Sequence, residues 1–172
     1  MKKILSEEIE LILKNKRKLE NVLEVDIIVD GKDILIEGKP ENEYTAEKVI
    51  EAIDMGFPVP VALLIKKEDF LFEIFSIKNY TSRKDFATIR ARIIGSGGKT
   101  LRTLAELTEC YFEIKDNTIG IIGEPESIKN ASDAVISIIR GAKQANVYSY
   151  LEKHHVQPIL DLGLKEKKKS KR

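Results

Sequence analysis

The chain of 172 residues has one cysteine, no tryptophan, two histidines and almost no net charge. With Cys110 alone, an internal disulfide framework and any zinc site built on several thiolates are excluded. Long apolar runs are missing as well. The longest, residues 59–65, is broken by Pro60 and falls far below the ~18 residues that a membrane-spanning helix needs. Met1, Lys2 and Lys3 open like a secretory leader, but Glu7, Glu8 and Glu10 interrupt any apolar core for one. The expectation is a soluble, cytoplasmic protein that does not contact a membrane. His154 and His155 are neighbours on the chain, where helix positions face different ways, and no Cys or further His lies near them, so no metal is expected. The carboxylates form no motif with His or Ser suited to acid–base or nucleophilic work. Cys110 reads as a small buried hydrophobe. No catalytic residue and no cofactor is assigned, and the chain is not expected to be an enzyme.

What is present is enough apolar residue for a core, 42%, and a charged fraction of 33%, above the ~25% usual in globular domains. The net charge of +1 conceals an asymmetry. Residues 1–80 carry 12 basic against 17 acidic side chains, whereas residues 165–172 carry six basic and one acidic. Arg83, Lys84, Arg90, Arg92, Lys99 and Arg102 fall close together and face only Asp85. Such a cluster suggests a polyanion-binding face on the second half. The lysine-rich end has nothing apolar to bury and is expected to be disordered.

The sequence repeats itself. Residues 34–41 (ILIEGKPE) match residues 119–126 (IGIIGEPE), and residues 46–56 (AEKVIEAIDMG) match residues 131–141 (ASDAVISIIRG), both at an offset of 85. A constant offset over two separated blocks implies two copies of one unit, each near the lower size limit for a self-sufficient core, so the copies should pack together. In the second copy the pattern predicts a strand over 70–77 and helices over 83–94 and 99–108. A hairpin of strands over 111–115 and 119–122 turns about Asp116 and Asn117, and a helix over 127–140 ends at Gly141. In the first copy the equivalents are a strand over 2–5, helices over 7–13 and 18–23, strands over 25–29 and 34–37, and a helix over 45–55. Residues 56–65 read as a connecting helical piece. Division falls at residues 1–65, 66–156 and 157–172.

Between the first two helices of the second copy stands Ile94-Gly95-Ser96-Gly97-Gly98-Lys99-Thr100, of the form IGxxG. A P-loop fails, because position 93 is Ile93 where that motif needs glycine, and because a helix precedes it where a strand should. A dinucleotide-binding GxGxxG fails on both spacing and context. The element resembles the KH module, in which a GxxG loop joins two helices and clamps the backbone of about four single-stranded nucleotides. Without Cβ atoms, Gly95, Gly97 and Gly98 let the main chain approach a sugar–phosphate path beside Ser96. The next helix adds N–H donors and partial positive charge. Lys99 and Arg102 supply formal charge, Arg90 or Arg92 adds it from the other side, and Ile94 with strand residues such as Phe112 should line a groove for unstacked bases.

Beyond that loop, residues 91–114 (ARIIGSGGKTLRTLAELTECYFEI), 121–126 (IIGEPE), 52–57 (AIDMGF) and 147–152 (VYSYLE) resemble the archaeal Partner-of-Nob-One, or Dim-two-like, family over nearly the whole chain. The resemblance implies an α+β fold of two tandem type I KH-like domains, each a three-stranded antiparallel sheet packed by three helices. It further implies binding to the 3′ region of small-subunit ribosomal RNA during assembly, and cooperation with the PIN-domain endonuclease that matures that end. A translation initiation factor two alpha subunit is a further candidate partner. The RNA-clamping residues would be Gly95, Ser96, Gly97, Gly98, Lys99 and Arg102. The alternative is a KH adaptor that mainly docks proteins. The first copy departs from the pattern, since its loop should fall at Lys14, Asn15, Lys16 and Arg17 or one residue earlier, and neither register contains glycine. It is expected to pack or bind protein rather than clamp RNA, with Lys14, Lys16, Arg17 and Lys18 available for electrostatic contact only.

Overall fold

The computed structural model describes residues 1–154; His155 and the tail expected at 157–172 lie outside the described residues. The first unit runs β1 (Lys2–Leu5), α1 (Ile9–Lys14), α2 (Lys16–Leu23), β2 (Val25–Asp30), β3 (Asp33–Gly38) and α3 (Pro40–Met55). A connector follows, with α4 (Val59–Ala62) and a 3-10 turn at Leu63–Lys66. The second unit runs β4 (Leu71–Ser76), α5 (Phe86–Ile94), α6 (Lys99–Thr108), β5 (Tyr111–Lys115), β6 (Thr118–Gly123), α7 (Pro125–Ile139) and α8 (Gln144–Lys153). Each unit holds one three-stranded antiparallel sheet, in the orders β1-β3-β2 and β4-β6-β5.

The repeat is visible in backbone detail. Glu24 and Glu109, 85 residues apart, both end a helix in the left-handed conformation at φ 54°. Gly31 and Asp116 occupy the same left-handed turn position, at φ 62° and 54°. Asp tolerates that conformation because its short side chain hydrogen-bonds locally. At the paired strand ends, a Cβ on Gly38 would stand 2.9 Å from Val25 Cγ1, and one on Gly123 would stand 2.5 Å from Cys110 Sγ. These repeat glycines are therefore required by close strand packing rather than by a turn.

Three expectations need correction. Helices α3 and α7 begin at Pro40 and Pro125, because proline at the first helical position forfeits only an N–H that has no intrahelical partner there. Helix α5 starts at Phe86 rather than 83, since Arg83 pairs with Asp85 ahead of it. Helix α8 adds a fourth long helix to the second unit, burying Val147 and Leu151.

Each unit has its own core. Ile12, Leu19, Ile27, Ile34, Ile36, Ile50 and Ile53 are buried in the first, and Ile77, Ile89, Ile93, Leu104, Ile119, Val135 and Ile138 in the second. The two cores meet. Ile122, on the face of the second sheet turned away from its helices, is buried in the first unit's core together with Met55 and Phe57. Phe57 meets Phe72 edge-on with centroids 5.9 Å apart. A Cβ on Gly120 would lie 2.9 Å from Phe57 Cε2, so a flat strand is needed for this approach. Polar contacts close the seam, where Lys115 Nζ donates to Asp54 O at 2.9 Å and pairs with Glu7 at 3.0 Å.

Candidate nucleic-acid interface

Helix α5 buries Ile89 and Ile93 and leaves Ile94 36% exposed at its last position. It stops at Gly95, whose N–H donates to Ala91 O at 2.8 Å and whose φ of 75° and ψ of 173° belong to a region that is essentially glycine's alone. A single 3-10 turn, Ser96–Gly98, reverses the chain, and α6 begins at Lys99 with Gly98 before it in the left-handed conformation.

The three glycines have different duties. A Cβ on Gly95 would stand 2.7 Å from both Cβ and N of Thr100, whose side chain is buried under the turn. Gly95 therefore lets the turn close. Gly97 and Gly98, at φ 60° and 78°, have nothing within 4 Å of where a Cβ would be. They leave backbone open to solvent, and Ser96, Gly97 and Lys99 are exposed.

The electrostatics favour an anion here. No acidic residue stands in the first turn of α6, so its N-terminal partial charge is uncompensated by a side chain. Arg102 Nη2 folds back toward Gly97 O at 3.4 Å, holding its guanidinium beside the turn. Lys84 and Lys99 have no charged partner among the described residues.

Two arginines assigned from sequence are engaged elsewhere. Arg92 Nη1 donates to Ile138 O at 3.0 Å, which also accepts from the Gly141 N–H, and Nη2 donates to Ala142 O at 2.5 Å, just past the end of α7. Its carbonyl accepts from Gln144 Nε2. Arg92 thus clasps α5 to the α7–α8 junction. Arg90 Nη1 donates to Asn117 Oδ1 at 2.8 Å and to Asp116 O at 3.2 Å, fixing the β5–β6 turn against α5.

Phe112 is 8% exposed and belongs to the core, because its partner Ile121 faces the helices. The neighbouring Tyr111 is 45% exposed and lines a recess of about 620 Å³ with Arg102, Ala105, Glu106 and Glu109. Sequence reasoning missed it, although the strand's alternation offered the signal. Burial pushes the Cys110 thiol up to about 11, which removes it as a nucleophile at neutral pH.

In the first unit the corresponding junction is one residue. Asn15 separates α1 from α2, and its side-chain amide donates to Leu11 O at 2.9 Å. The strand register equates Lys2 with Glu73, an offset of 71 against 85 further on, so the first unit is 14 residues shorter ahead of its second helix. No glycine corner exists there. His154 stacks on Tyr150, with centroids 4.1 Å apart, and no group of metal-binding side chains occurs among the described residues. No helix among them is long and apolar enough to cross a membrane.

The order strand, helix, glycine turn, helix, strand, strand, helix, with the sheet order 4-6-5, agrees with a family model for the second KH domain of the Pno1 proteins, described as a eukaryotic type (type I) KH domain. It matches residues 71–156, half of the chain. The chain belongs to the Partner-of-Nob-One family. Among curated relatives of this family member, a KH domain-containing protein of Methanocaldococcus jannaschii is 29% identical over 145 residues, which cover 80% of this chain and 64% of that protein. The pre-rRNA-processing protein pno1 of Schizosaccharomyces pombe is 31% identical over 105 residues, 59% of this chain and 44% of that protein. The chain thus spans less than two thirds of the length of these relatives. A solved complex of a/eIF2alpha, aDim2p and rRNA from Pyrococcus horikoshii contains a chain of similar fold. Its TM-score is 0.80 at 23% identity, covering 90% of this chain and 93% of that one.

Proposed function

We propose that this Partner-of-Nob-One protein is a non-enzymatic, single-stranded RNA-binding factor of small-ribosomal-subunit assembly. Its second unit, residues 66–156, grips the 3′ region of small-subunit ribosomal RNA. The open backbone at Gly97 and Gly98, on the uncompensated N-terminus of α6, is the observation that carries this reading. Gly95 and Thr100 set the turn, Ser96 to Gly98 present backbone to phosphate, Lys99 and Arg102 supply charge, and Ile94 offers an apolar surface to an unstacked base. The names of the relatives support the RNA-processing context: pno1 is a pre-rRNA-processing protein, and the Pyrococcus chain was solved with rRNA and a/eIF2alpha. Holding the RNA end for a PIN-domain endonuclease, and docking the alpha subunit of translation initiation factor two, complete the proposal. Such work belongs where ribosomes are built, in the cytoplasm.

A second reading, a protein-docking adaptor, draws on the acidic first unit with its closed Asn15 junction. One experiment separates the two. Ser96→Asp with Gly97→Asp, titrated with single-stranded RNA of the ribosomal 3′ end at two salt concentrations, places carboxylates in the path of phosphate. Asp tolerates the left-handed position at 97, so the fold should persist. At ~6 Å and an effective dielectric of ~20, each carboxylate opposes a phosphate by roughly 2–3 kcal/mol before screening. Affinity should fall roughly a hundredfold, and the wild-type salt slope should be about −2 to −3, as three or four phosphate contacts on a single strand give. Unchanged affinity would favour the adaptor.

A further inference from the structure

Strand β1 is one of the two edge strands of the first sheet, and the register says which of its backbone groups are unspent. Ser6 N–H donates to Lys32 O at 3.0 Å, so the alternating hydrogen-bonded pairs of the β1–β3 ladder are Ile4 with Ile34 and Lys2 with Ile36. The N–H and C=O groups of Lys3 and Leu5 therefore point away from the sheet, to the edge.

Beside that edge, between β1 and α3, lies a groove of about 520 Å³ lined by Ile4, Leu5, Glu47, Lys48, Glu51 and Asp54. Leu5 is 73% exposed, a large aliphatic group held out at the groove's mouth. The charge balance is one-sided. Lys48 is paired with Glu51 at 3.1 Å, and the flanking Lys2 and Lys3 are paired with Glu47 at 2.6 Å and Asp33 at 2.9 Å. Glu7, Glu8 and Glu10 follow directly on the chain; Glu7 is paired with Lys115, while Glu8, Glu10 and Asp54 have no ion-pair partner among the described residues. The edge lysines that would ordinarily repel an incoming strand are thus neutralised, and a surplus of carboxylates surrounds the groove. RNA would meet repulsion here.

We infer that the β1 edge of the first unit is a docking site for an extended, basic protein segment, which adds as a strand to Lys3 and Leu5 and seats an aliphatic side chain beside Leu5. Main-chain pairing supplies affinity, the groove reads alternate side chains, and the carboxylates select a cationic partner. The site is independent of the glycine turn, so a protein and an RNA could be held at once.

The test uses the full chain, isotopically labelled, with an end-blocked (Lys-Val)4 peptide as probe. Matched (Glu-Val)4 and backbone N-methylated (Lys-Val)4 peptides serve as controls. Expected are shifts and slowed amide exchange at Lys3 and Leu5, binding by (Lys-Val)4 at least tenfold tighter than by (Glu-Val)4, and loss of binding on N-methylation. Glu51→Lys should weaken the basic peptide about fivefold, the upper range for one exposed charge contact. Leu5→Arg should weaken it further, while both variants keep wild-type affinity for RNA and melt within about 2 °C of the parent, since Leu5 is exposed and the Lys48 pair lost in Glu51→Lys is a surface one. Peptide signals that map elsewhere, equal binding of the two peptide charges, or indifference to N-methylation would overturn the inference. So would RNA-induced slowing of exchange at Lys3 and Leu5, or concentration-dependent protection there without peptide, which would assign the edge to RNA or to a second copy of the chain.

Discussion

Replacing Gly95 and Gly97 separately by Ala separates the two duties that the glycine turn combines. Both positions have positive φ, but only Gly95 is enclosed. At Gly97 an Ala costs the left-handed strain, about 1 kcal/mol, and its methyl meets nothing. At Gly95 the backbone lies where only glycine is at ease, roughly 1–3 kcal/mol for any other residue. The methyl would also stand 2.7 Å from Thr100 Cβ and N, about 1 Å inside normal contact, adding overpacking of roughly 1–3 kcal/mol. Gly95→Ala should therefore cost about 4 kcal/mol and Gly97→Ala about 1 kcal/mol. At ~2–4 °C per kcal/mol for a chain of this size, melting should fall by about 12 °C and about 3 °C. Urea unfolding followed by circular dichroism gives the free energies, and a single-stranded RNA titration of the folded proteins gives the affinities. Gly97→Ala should bind about tenfold more weakly while nearly as stable as the parent, because its methyl occupies the open backbone. Equal destabilisation by the two changes, or full RNA affinity in Gly97→Ala, would refute the division of roles.

Further outcomes are expected at five other residues. Arg92→Ala should destabilise by about 2–3 kcal/mol through the lost charged hydrogen bonds at the end of α7, whereas Arg102→Ala should leave urea stability within ~0.5 kcal/mol and reduce the RNA salt slope by about 1. Gly120→Val should push Phe57 and Met55 off the second sheet, costing about 2–3 kcal/mol in urea unfolding. Lys115→Met should cost about 1 kcal/mol, because it removes one hydrogen bond and an exposed ion pair from the seam between units. Cys110 has its thiol proton held to about 11 against 9.0 in the open chain, so the folded state binds more protons between those values. Stability should decline as pH rises through that window, and iodoacetamide at pH 8 should label Cys110 only as fast as the protein unfolds.

The repeat made the topology legible, because a constant offset of 85 carried strands, turns and the final helix of one unit onto the other. The glycine turn was legible for a related reason: three glycines between amphipathic helices have few structural uses. Hydrogen-bond partners distant in sequence were not. The basic residues Arg90 and Arg92 looked alike on the chain, yet one holds a hairpin 26 residues away and the other caps carbonyls 46 and 50 residues away. Phe112 was read toward the groove and Tyr111 overlooked because which face of an edge strand is covered depends on register, and register is a property of the partner strand. The Asn15 junction was blurred because the first unit lost its 14 residues in just this region, so the offset gave no guide.

The central claim, that RNA rests on the open backbone of this turn, is met most directly by a residue-resolved amide titration of the full chain with single-stranded RNA. The amides of Ser96, Gly97, Gly98 and Lys99 should shift first and furthest, with Arg102 following, at sub-stoichiometric RNA. Shifts confined to the first unit or to the chain's basic end, with those four amides unmoved at saturation, would contradict it.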